Sequence, residues 1–480
     1  MTQNIAEQGH LSDSSEANGR TEALRMETGT GTGTGTGTVT GTETATETET
    51  DDRIAAGISI EHIENIENIE NTVWWHIYPL GFLGAPIRPS SSHERRLEHR
   101  LLRLIPWLDY MTELGTDGLF LGPIFDSQTH GYDTVDYYSI DPRLGDLHDF
   151  DALIGACRER GIKVMLDGVF NHVGTEFPEF RRAMAGEGDE DMFTISHDEQ
   201  GTPDYVKFEG HPGLPELNHQ SPRVARLVQD VMEFWLDRGI DAWRLDAAYT
   251  TDTHFWRHVL PQVRSSFPKV WFMGEVIQAD YPKVIAETGF DSLTQYELWK
   301  AIWSSLKDGN FFELDWSIRR NDEFMADFTP QTFIGNHDVT RIASKVGLGK
   351  AALAAVIEFT LGGIPSIYYG DEIGVTGVKE ERHGGDDAVR PEFPATPEAM
   401  GMRAGSEREL FELYRSLIAM RKANPWLVHA TTASVSLENR RYSYESVGKH
   451  GERLLVELNL DPNPTATVSK DGTTLIRAHI

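Results

Sequence analysis

The sequence predicts an α/β protein: a closed (β/α)8 barrel of the TIM type, with an inserted subdomain after strand three and a small C-terminal all-β domain. Three observations predict it. Eight short apolar runs alternate with helical patterns over roughly 330 residues. One long stretch rich in Gly, Pro and acidic residues interrupts this alternation. Beyond the last helical pattern, only short runs of alternating β type remain.

The predicted strands are rich in β-branched and aromatic residues and are separated by segments of helical periodicity. They are VWWHIYPL (73–80), DGLFLGPIF (117–125), KVMLDGVFNH (163–172), IDAWRLDAA (240–248), KVWFMGEV (269–276), SLTQYELW (292–299), QTFIGNHD (331–338) and IPSIYYGDE (364–372). The clearest helical segments are RRLEHRLLRLIPWLDYMTELG (95–115), SPRVARLVQDVMEFWLDRG (221–239) and LGKAALAAVIEFTLGG (348–363). Eight βα units fit a closed barrel better than an open sheet.

Three segments are predicted to lie outside the barrel, which takes residues 72–425. Residues 1–70 carry the repeat GTGTGTGTVTGTETATETET, which has almost nothing to bury and is predicted to be disordered. Residues 174–220 are predicted to be an inserted B subdomain, because the gap between strands three and four is too long for one helix. Residues 426–480 contain YSYESV, RLLVELNL and TTLIRAHI and are predicted to be a small β domain.

Composition excludes several classes of partner. The formal net charge is −31, so the surface repels phosphate backbones and we expect no nucleic-acid partner. No apolar run is long enough to span a membrane. The start, MTQNIAEQGH, has neither a basic region nor an apolar core, so we expect no secretory signal and a cytoplasmic protein. The single cysteine, Cys157, excludes an intrachain disulfide and is predicted to be a core residue. The oligomeric state is left open.

Unusual polar residues follow or end four of the predicted strands. In a strand, residues two apart point to the same face, so Arg244 and Asp246 share one side. Burying such charges is expensive unless they are paired or in use, which leaves a structural ion pair or half of an active site. The strand-end residues are Asp167, Asn171 and His172; Arg244 and Asp246; Glu275; and Asn336, His337 and Asp338. They should converge on one mouth of the barrel. Two carboxyls about 5 to 5.5 Å apart perform retaining glycoside hydrolysis.

The motifs around these residues resemble the conserved regions of the α-amylase superfamily, glycoside hydrolase family 13. DGVFNH, AWRLDAA, GEV and FIGNHD are similar to its four short regions, in the family's order and on the strands it uses. LPELNH (214–219) is similar to its fifth region, and HGYDTVDYYSIDPRLG (130–145) to its loop after strand two. The resemblance covers roughly residues 72–480 and implies the same barrel.

The resemblance implies a role for each strand-end acid. It makes Asp246 the nucleophile, Glu275 the general acid/base and Asp338 the stabiliser of the transition state. We expect Arg244, two residues before the nucleophile, to hold Asp246 ionised. We expect Glu275 to be protonated at the start, because burial and nearby carboxylates raise the pKa of an acid.

The resemblance also implies substrate-binding and supporting residues. His172 and His337 match histidines that donate to sugar hydroxyls, and Tyr132 would stack on the sugar ring. Asp167 and Asn336 would support the network. Asn171 is either a calcium ligand or a strand-end hydrogen-bonding residue. The loop YPLGFLGAPIRPSSS lacks the acidic calcium cluster of many relatives, so no cofactor is expected to be required and calcium remains only possible.

Several loop residues bear on substrate specificity. Asp133 and Arg390 resemble a pair that closes the terminal-glucose subsite in exo-acting members; the alternative is a salt bridge between loops. Ala247, Ala248 and Tyr249 replace the Lys-His pair of many endo-acting amylases. We therefore predict a retaining α-glucoside hydrolase acting on malto-oligosaccharides or related α-glucans. The alternatives are an α-glucanotransferase and an endo-acting, neopullulanase-like amylase.

Two rival classes remain for comparison. A catalytically inactive relative serving as a binding subunit should have lost its acids, but all three are present. A metal-dependent hydrolase on the same barrel would need clusters such as H-x-H, whereas His172 and His337 each follow an asparagine.

Overall fold

Eight parallel strands form the central barrel in the computed structural model, which describes residues 68–401 and 405–479. The strands are β1 (Trp74–Ile77), β2 (Gly118–Leu121), β3 (Lys163–Gly168), β4 (Ala242–Leu245), β5 (Trp271–Gly274), β6 (Ser292–Leu293), β7 (Gln331–Phe333) and β8 (Ile364–Tyr368). They are hydrogen-bonded in the order β6-β5-β4-β3-β2-β1-β8-β7. A parallel bridge from Thr294 to Gln331 joins the two ends, so the predicted barrel is confirmed.

Helices follow the strands and cover the barrel. They are α1 (Pro79–Phe82), α2 (Ile105–Leu114), α3 (Leu147–Glu159), α4 (Pro178–Ala185), α5 (Pro222–Asp237), α6 (Thr253–Ser266), α7 (Tyr281–Thr288), α8 (Tyr296–Asp308), α9 (Phe312–Phe324), α10 (Ile342–Val346), α11 (Leu348–Thr360), α12 (Pro397–Met400) and α13 (Ser406–Lys422). Cys157 is buried on α3, as predicted. Among the described residues, every helix is too short or too polar to cross a bilayer.

The barrel interior has its own apolar cluster, separate from the larger core between strands and helices. Its side chains come from several strands and from the segment just before β1. Ile69 in that segment is fully buried, so the chain already packs against the barrel at residue 69, near the predicted boundary at residue 70. The rest of the predicted N-terminal extension, residues 1–67, lies outside the described residues.

Several predicted strands end earlier in the structure, and two elements differ from their predicted bounds for a clear physical reason. The predicted strand 292–299 ends at Leu293, because the Gln295 side chain accepts a hydrogen bond from the Leu298 N–H and begins α8. The predicted helix 95–115 begins only at Ile105. Pro106 fits the first turn of a helix but cannot donate a hydrogen bond to an earlier turn.

Two further units extend from the barrel. Residues 174–220 contain α4 and an antiparallel hairpin of Ile195–His197 with Pro203–Tyr205. After α13, five strands form an antiparallel sheet in sequential order. They are β9 (Thr431–Leu437), β10 (Arg441–Val447), β11 (Arg453–Asn459), β12 (Thr465–Lys470) and β13 (Thr473–Ala478). The predicted C-terminal β domain is therefore part of the observed fold.

Candidate active site

The guanidinium of Arg244 is the centre of the site at the C-terminal end of the barrel. Its Nη1 donates to both oxygens of Asp167, at 2.6 and 2.7 Å, and to Oδ1 of Asp246 at 2.8 Å. Its Nη2 lies 2.7 Å from Oε1 of Glu275. All four side chains are buried. One cation therefore holds three carboxylates from three adjacent strands within hydrogen-bonding distance.

Strand register brings these residues together. Asp167 on β3 is the direct partner of Arg244 on β4. Just beyond β4 and β5, the Asp246 N–H donates to Gly168 O and the Glu275 N–H donates to Leu245 O. The parallel pairing thus continues past the strand ends and places both acids at one level of the barrel mouth.

The backbone turns sharply immediately after Asp246. Ala247 has φ 46° and ψ 36°, a left-handed conformation that is unfavourable for a residue with a Cβ atom. This turn directs the Ala247 N–H toward Glu275 Oε2, at 3.0 Å. The backbone next to one acid therefore fixes the position of the other, which is a reason to keep a strained conformation at this point.

Glu275 is held from a second side by Tyr296. The Tyr296 hydroxyl donates to Glu275 Oε1 at 3.0 Å and accepts from Asn336 Nδ2 at 3.0 Å. Asn336 Oδ1 in turn accepts from the Asp338 N–H at 2.9 Å. Asn336 thus connects two of the predicted acids. Sequence reasoning missed Tyr296, because the predicted strand 292–299 includes it, whereas in the structure it is the first residue of α8.

The carboxylate oxygens of Glu275 and Asp246 differ in the number of hydrogen bonds that they accept. Glu275 Oε1 accepts from Arg244 and Tyr296, so both of its lone pairs are occupied, whereas Oε2 accepts only from Ala247 among the described residues. Asp246 Oδ1 accepts from Arg244, and Oδ2 accepts from none of the described groups. Glu275 Oε2 therefore has room for a proton, and Asp246 Oδ2 is free to react.

The electrostatic balance of the cluster favours retaining a proton. Burial raises the pKa of Asp246 well above its usual range; Arg244 opposes this shift, while Glu275 and Asp167 add to it. Burial likewise raises the pKa of Asp167. Arg244 favours the ionised form of Asp246, in the direction expected from the sequence, and so offsets part of the cost that burial imposes.

Asp338 is the most open of the three predicted acids, with a side chain that is 32% exposed. Its Oδ1 accepts from Arg390 Nη2 at 2.8 Å, and its Oδ2 lies 3.1 Å from His337 Nε2. Burial alone would raise the pKa of Asp338, but His337 and Arg390 lower it well below its usual range. Asp338 is therefore an anion at neutral pH.

The aromatic residues of the site pack on each other. Tyr132 stacks on His337 with ring centroids 5.3 Å apart, and its hydroxyl donates to Asp167 Oδ2 at 3.0 Å and contacts His337 Nε2. His172 Nε2 lies 3.0 Å from Tyr132 O, and its ring stacks on Phe208 of the inserted subdomain. The structure thus brings Tyr132, His172 and His337 together around the acids.

Asp133 and Arg390 have different partners. Asp133 accepts from the N–H and hydroxyl of Thr129 in its own loop, at 3.0 and 2.5 Å. Arg390 donates to His337 O at 2.9 Å as well as to Asp338, lies over the Tyr78 ring at 4.5 Å, and reaches Asp386 at 3.4 Å. Sequence reasoning missed Tyr78 and Asp386; the four-residue spacing of Asp386 and Arg390 was the available signal.

Within the described part of the chain, the acids and histidines of the site are not grouped closely enough around one point to hold a metal ion. Asn171 Oδ1 accepts from the Thr251 hydroxyl at 3.4 Å, which is the strand-end hydrogen bond that was one of its two alternatives. Among the described residues, His99, Asp146 and Asp149 form the one group of His, Cys, Asp and Glu side chains close enough to hold a metal. These carboxylates already cap α3, and His99 binds Asp149. The loop after β1, residues 78–92, contains no acid that could hold calcium.

Several known proteins are similar to this chain. A family profile for the alpha amylase catalytic domain matches residues 101–401. A cyclomaltodextrinase from Geobacillus thermopakistaniensis is 33% identical over 378 residues, 73% of this chain and 62% of its own length. A maltogenic alpha-amylase from Bacillus acidopullulyticus is 30% identical over 387 residues, 75% of this chain and 64% of its own. The matched region thus spans less than two thirds of the length of these curated relatives.

A solved structure extends the comparison to the whole fold. The cyclic α-maltosyl-(1→6)-maltose hydrolase from Arthrobacter globiformis, in complex with its sugar, superposes with a TM-score of 0.69 at 25% identity. The match covers 86% of this chain and 99% of that chain. Because the catalytic-domain profile covers more than half of the sequence, this chain belongs to the α-amylase family.

Proposed function

We propose that the protein is a retaining glycoside hydrolase that cleaves α-glucosidic bonds of malto-oligosaccharides or related α-glucans. One observation carries the proposal: Arg244 holds Asp246 and Glu275 side by side, with a free oxygen on Asp246 and an open proton position on Glu275. A nucleophile and an acid/base in this arrangement perform double displacement. The resemblance of the motifs and the family of the chain support the same assignment.

In the first step, Asp246 Oδ2 attacks the anomeric carbon as the glycosidic C–O bond breaks. The proton shared by the buried cluster is on Glu275 Oε2 in the reactive form and passes to the leaving oxygen. This step leaves a β-glycosyl ester on Asp246 and an ionised Glu275. Arg244 then balances the charge that has moved from Asp246 to Glu275, since it contacts both.

In the second step, Glu275 takes a proton from a water molecule whose oxygen attacks the same carbon from the opposite face. The ester bond breaks, Asp246 is restored, and the product keeps its α configuration. The Asp338 anion stabilises positive charge on the sugar in both transition states. His172, His337 and Tyr132 supply polar and stacking contacts to the same sugar, with Asp167 and Asn336 supporting the acids.

Substrate size is inferred from the acceptor side of the site. The Tyr249 hydroxyl donates to Glu209 Oε1 at 2.9 Å, so the inserted subdomain reaches across to the loop after the nucleophile. We infer that this contact restricts the space next to Asp246 and favours short substrates. Relatives named cyclomaltodextrinase, maltogenic alpha-amylase and, from Thermoactinomyces vulgaris, neopullulanase 2 support a malto-oligosaccharide substrate. We further propose that Arg390 and Asp133 close the subsite for the terminal glucose.

The alternative is transfer to a second sugar. Tyr249 is partly exposed beside the nucleophile and offers a ring on which an acceptor sugar can stack. We propose a cytoplasmic location, in line with the single cysteine and the relative named intracellular maltogenic amylase from Bacillus subtilis. The proposed reaction uses side chains of this chain alone and requires no cofactor.

Incubation of the full chain with maltotriose, pullulan, soluble starch and isomaltose tests the proposal. We expect cleavage of maltotriose with initial release of the α anomer, read by proton NMR before mutarotation, and no turnover by Asp246→Asn. Longer products from maltotriose would assign the protein as a transferase. Release of the β anomer, or full activity of Asp246→Asn, would overturn the proposed mechanism.

A further inference from the structure

A small cavity of about 20 Å³ lies inside the barrel next to the acid cluster. Its walls include Glu275 and Arg244, and also three residues that the proposed reaction does not explain: His76, Gln331 and the inner side of His337. The volume is enough for one water molecule, which needs about 10–15 Å³ and two to four polar partners.

Each of these three residues presents a buried nitrogen to the interior. His76 Nε2, Gln331 Nε2 and His337 Nδ1 are fully buried and have no hydrogen-bond partner among the described residues. The three side chains belong to residues that are 4%, 2% and 2% exposed. Leaving one such group without a partner costs about 1–3 kcal/mol. Three of them around one cavity indicate a shared polar ligand.

The outer contacts of His337 determine where its proton lies. Tyr132 donates its single hydroxyl proton to Asp167, so its oxygen must accept from His337 Nε2. The other partner of Nε2 is the Asp338 carboxylate, which also only accepts. Nε2 therefore carries a proton, and His337 Nδ1, which has no hydrogen-bond partner among the described residues, is left to bind a partner on the cavity side.

We propose that the cavity binds one water molecule between His76, Gln331 and His337, and that this water holds His337 with its proton on Nε2. The water accepts a hydrogen bond from the Gln331 amide and donates one to His337 Nδ1. Its third hydrogen bond is to His76 Nε2. His76 is thus a positioning residue for the proposed reaction: it acts through the water on His337, and through His337 on Asp338.

Packing fixes His76 for this role. Its ring stacks on Phe120 with centroids 4.0 Å apart and meets the edge of His337 at 5.2 Å with an interplanar angle of 86°. Burial, together with the nearby Arg244 guanidinium, lowers the pKa of His76 well below its usual range. His76 therefore stays neutral and can exchange hydrogen bonds with water without adding a charge beneath Glu275.

Nitrogen NMR of the full chain with ¹⁵N-labelled histidine tests the tautomer directly. The His337 signals are assigned from their loss in His337→Gln. We expect Nε2 protonated and Nδ1 shifted as a hydrogen-bond acceptor. In His76→Leu, Nδ1 should move toward the value of an unbonded nitrogen, and in His76→Gln, whose amide can still reach the water, it should return. Gln331→Leu should act like His76→Leu if the latter fails to fold.

The kinetic consequence rests on the proposed function, whereas the NMR signature does not. We expect His76→Leu to lower kcat on maltotriose about tenfold with little change in KM, and His76→Gln to recover most of it. A proton on His337 Nδ1, or an Nδ1 signal that ignores both leucine variants, would overturn the water site. If the signals respond but no α-glucoside is cleaved, the water site stands and the proposed function fails.

Discussion

Arg244 and Arg341 are two buried arginines of the barrel whose ion pairs differ. Arg244 contacts three carboxylates at the barrel mouth. Arg341 is fully buried, and it donates to one carboxylate, Asp371, at 3.1 Å and to the backbone carbonyls of Tyr369 and Val389. Its guanidinium also lies over the Tyr368 ring at 3.9 Å. Both are ion pairs inside the protein, yet only one has a surplus of acids.

The difference teaches how to separate a structural ion pair from an active site. Arg341 donates to one acid and to backbone carbonyls of the loop after β8, which would otherwise be buried without a partner. Its role is therefore to hold this loop in place. Arg244 is outnumbered by its acids, which leaves the cluster with negative charge and a loosely assigned proton. Both arginines are buried. Only Arg244 has more acids than positive charges around it, and only its cluster contains a carboxylate oxygen without a partner, on Asp246.

The largest expected effect is the loss of turnover in Asp246→Asn. We expect kcat to fall about 10⁴-fold, because an amide cannot form the glycosyl ester. The melting temperature should not fall, since the change removes one of the surplus negative charges around Arg244. Steady-state kinetics and thermal unfolding measure the two effects. Asp322→Asn is the matched control, because it makes the same chemical change at a half-buried acid outside the site. Retained turnover in Asp246→Asn would make the Arg244 cluster merely structural.

The opposite pattern is expected for Arg341→Met. Removing the cation leaves Asp371 buried without its partner, which costs about 3 kcal/mol of unfolding free energy. Urea denaturation measures this loss, and kcat per folded molecule should stay unchanged. Lost turnover at unchanged stability would contradict the division between the two arginines.

A smaller effect is expected for Arg390→Ala, which removes a contact to Asp338. We expect kcat/KM on maltose and maltotriose to fall about 30-fold, since the Asp338 anion and the terminal-glucose subsite both lose a donor. Arg390→Lys keeps the charge but lacks the planar guanidinium, so its kcat/KM should lie between that of the wild type and that of Arg390→Ala. Unchanged activity on both sugars would refute the pocket proposed for the terminal glucose.

The smallest effect concerns Asp322, a half-buried acid whose hydrogen-bond partner is the Thr432 N–H rather than a cation. Burial raises its pKa to about 7. The folded protein therefore binds this proton more tightly than the unfolded chain, so its stabilising effect is complete below about pH 4 and is lost as the pH rises through 7. Asp322→Asn should gain about 1 kcal/mol over the wild type between pH 4 and pH 8. A pH-independent difference in urea denaturation would contradict this.

Sequence patterns located the strands and the acids well, because a buried parallel strand must be apolar and a charged residue at its end is conspicuous. They could not locate Tyr296 or His76. Tyr296 reads as one more aromatic residue in an apolar run, and its role depends on where β6 stops. His76 lies within the strand-like run VWWHIYPL, and its importance arises only when β1, β7 and the segment that follows β7 bring polar atoms to one cavity. Side-chain partners from distant segments of the chain were likewise invisible, as with Arg390 and Asp338 or Tyr249 and Glu209.

The left-handed backbone at Ala247 limits how this protein can be engineered. A β-branched side chain there would oppose the turn that aims the 247 N–H at Glu275, so libraries intended to change acceptor preference should leave this position as Ala or Gly. Ala248 is buried in the core, whereas Tyr249 lies partly exposed on the same loop and carries no such constraint from the acid. Evolution of new product profiles should therefore proceed through residue 249, while residue 247 stays small.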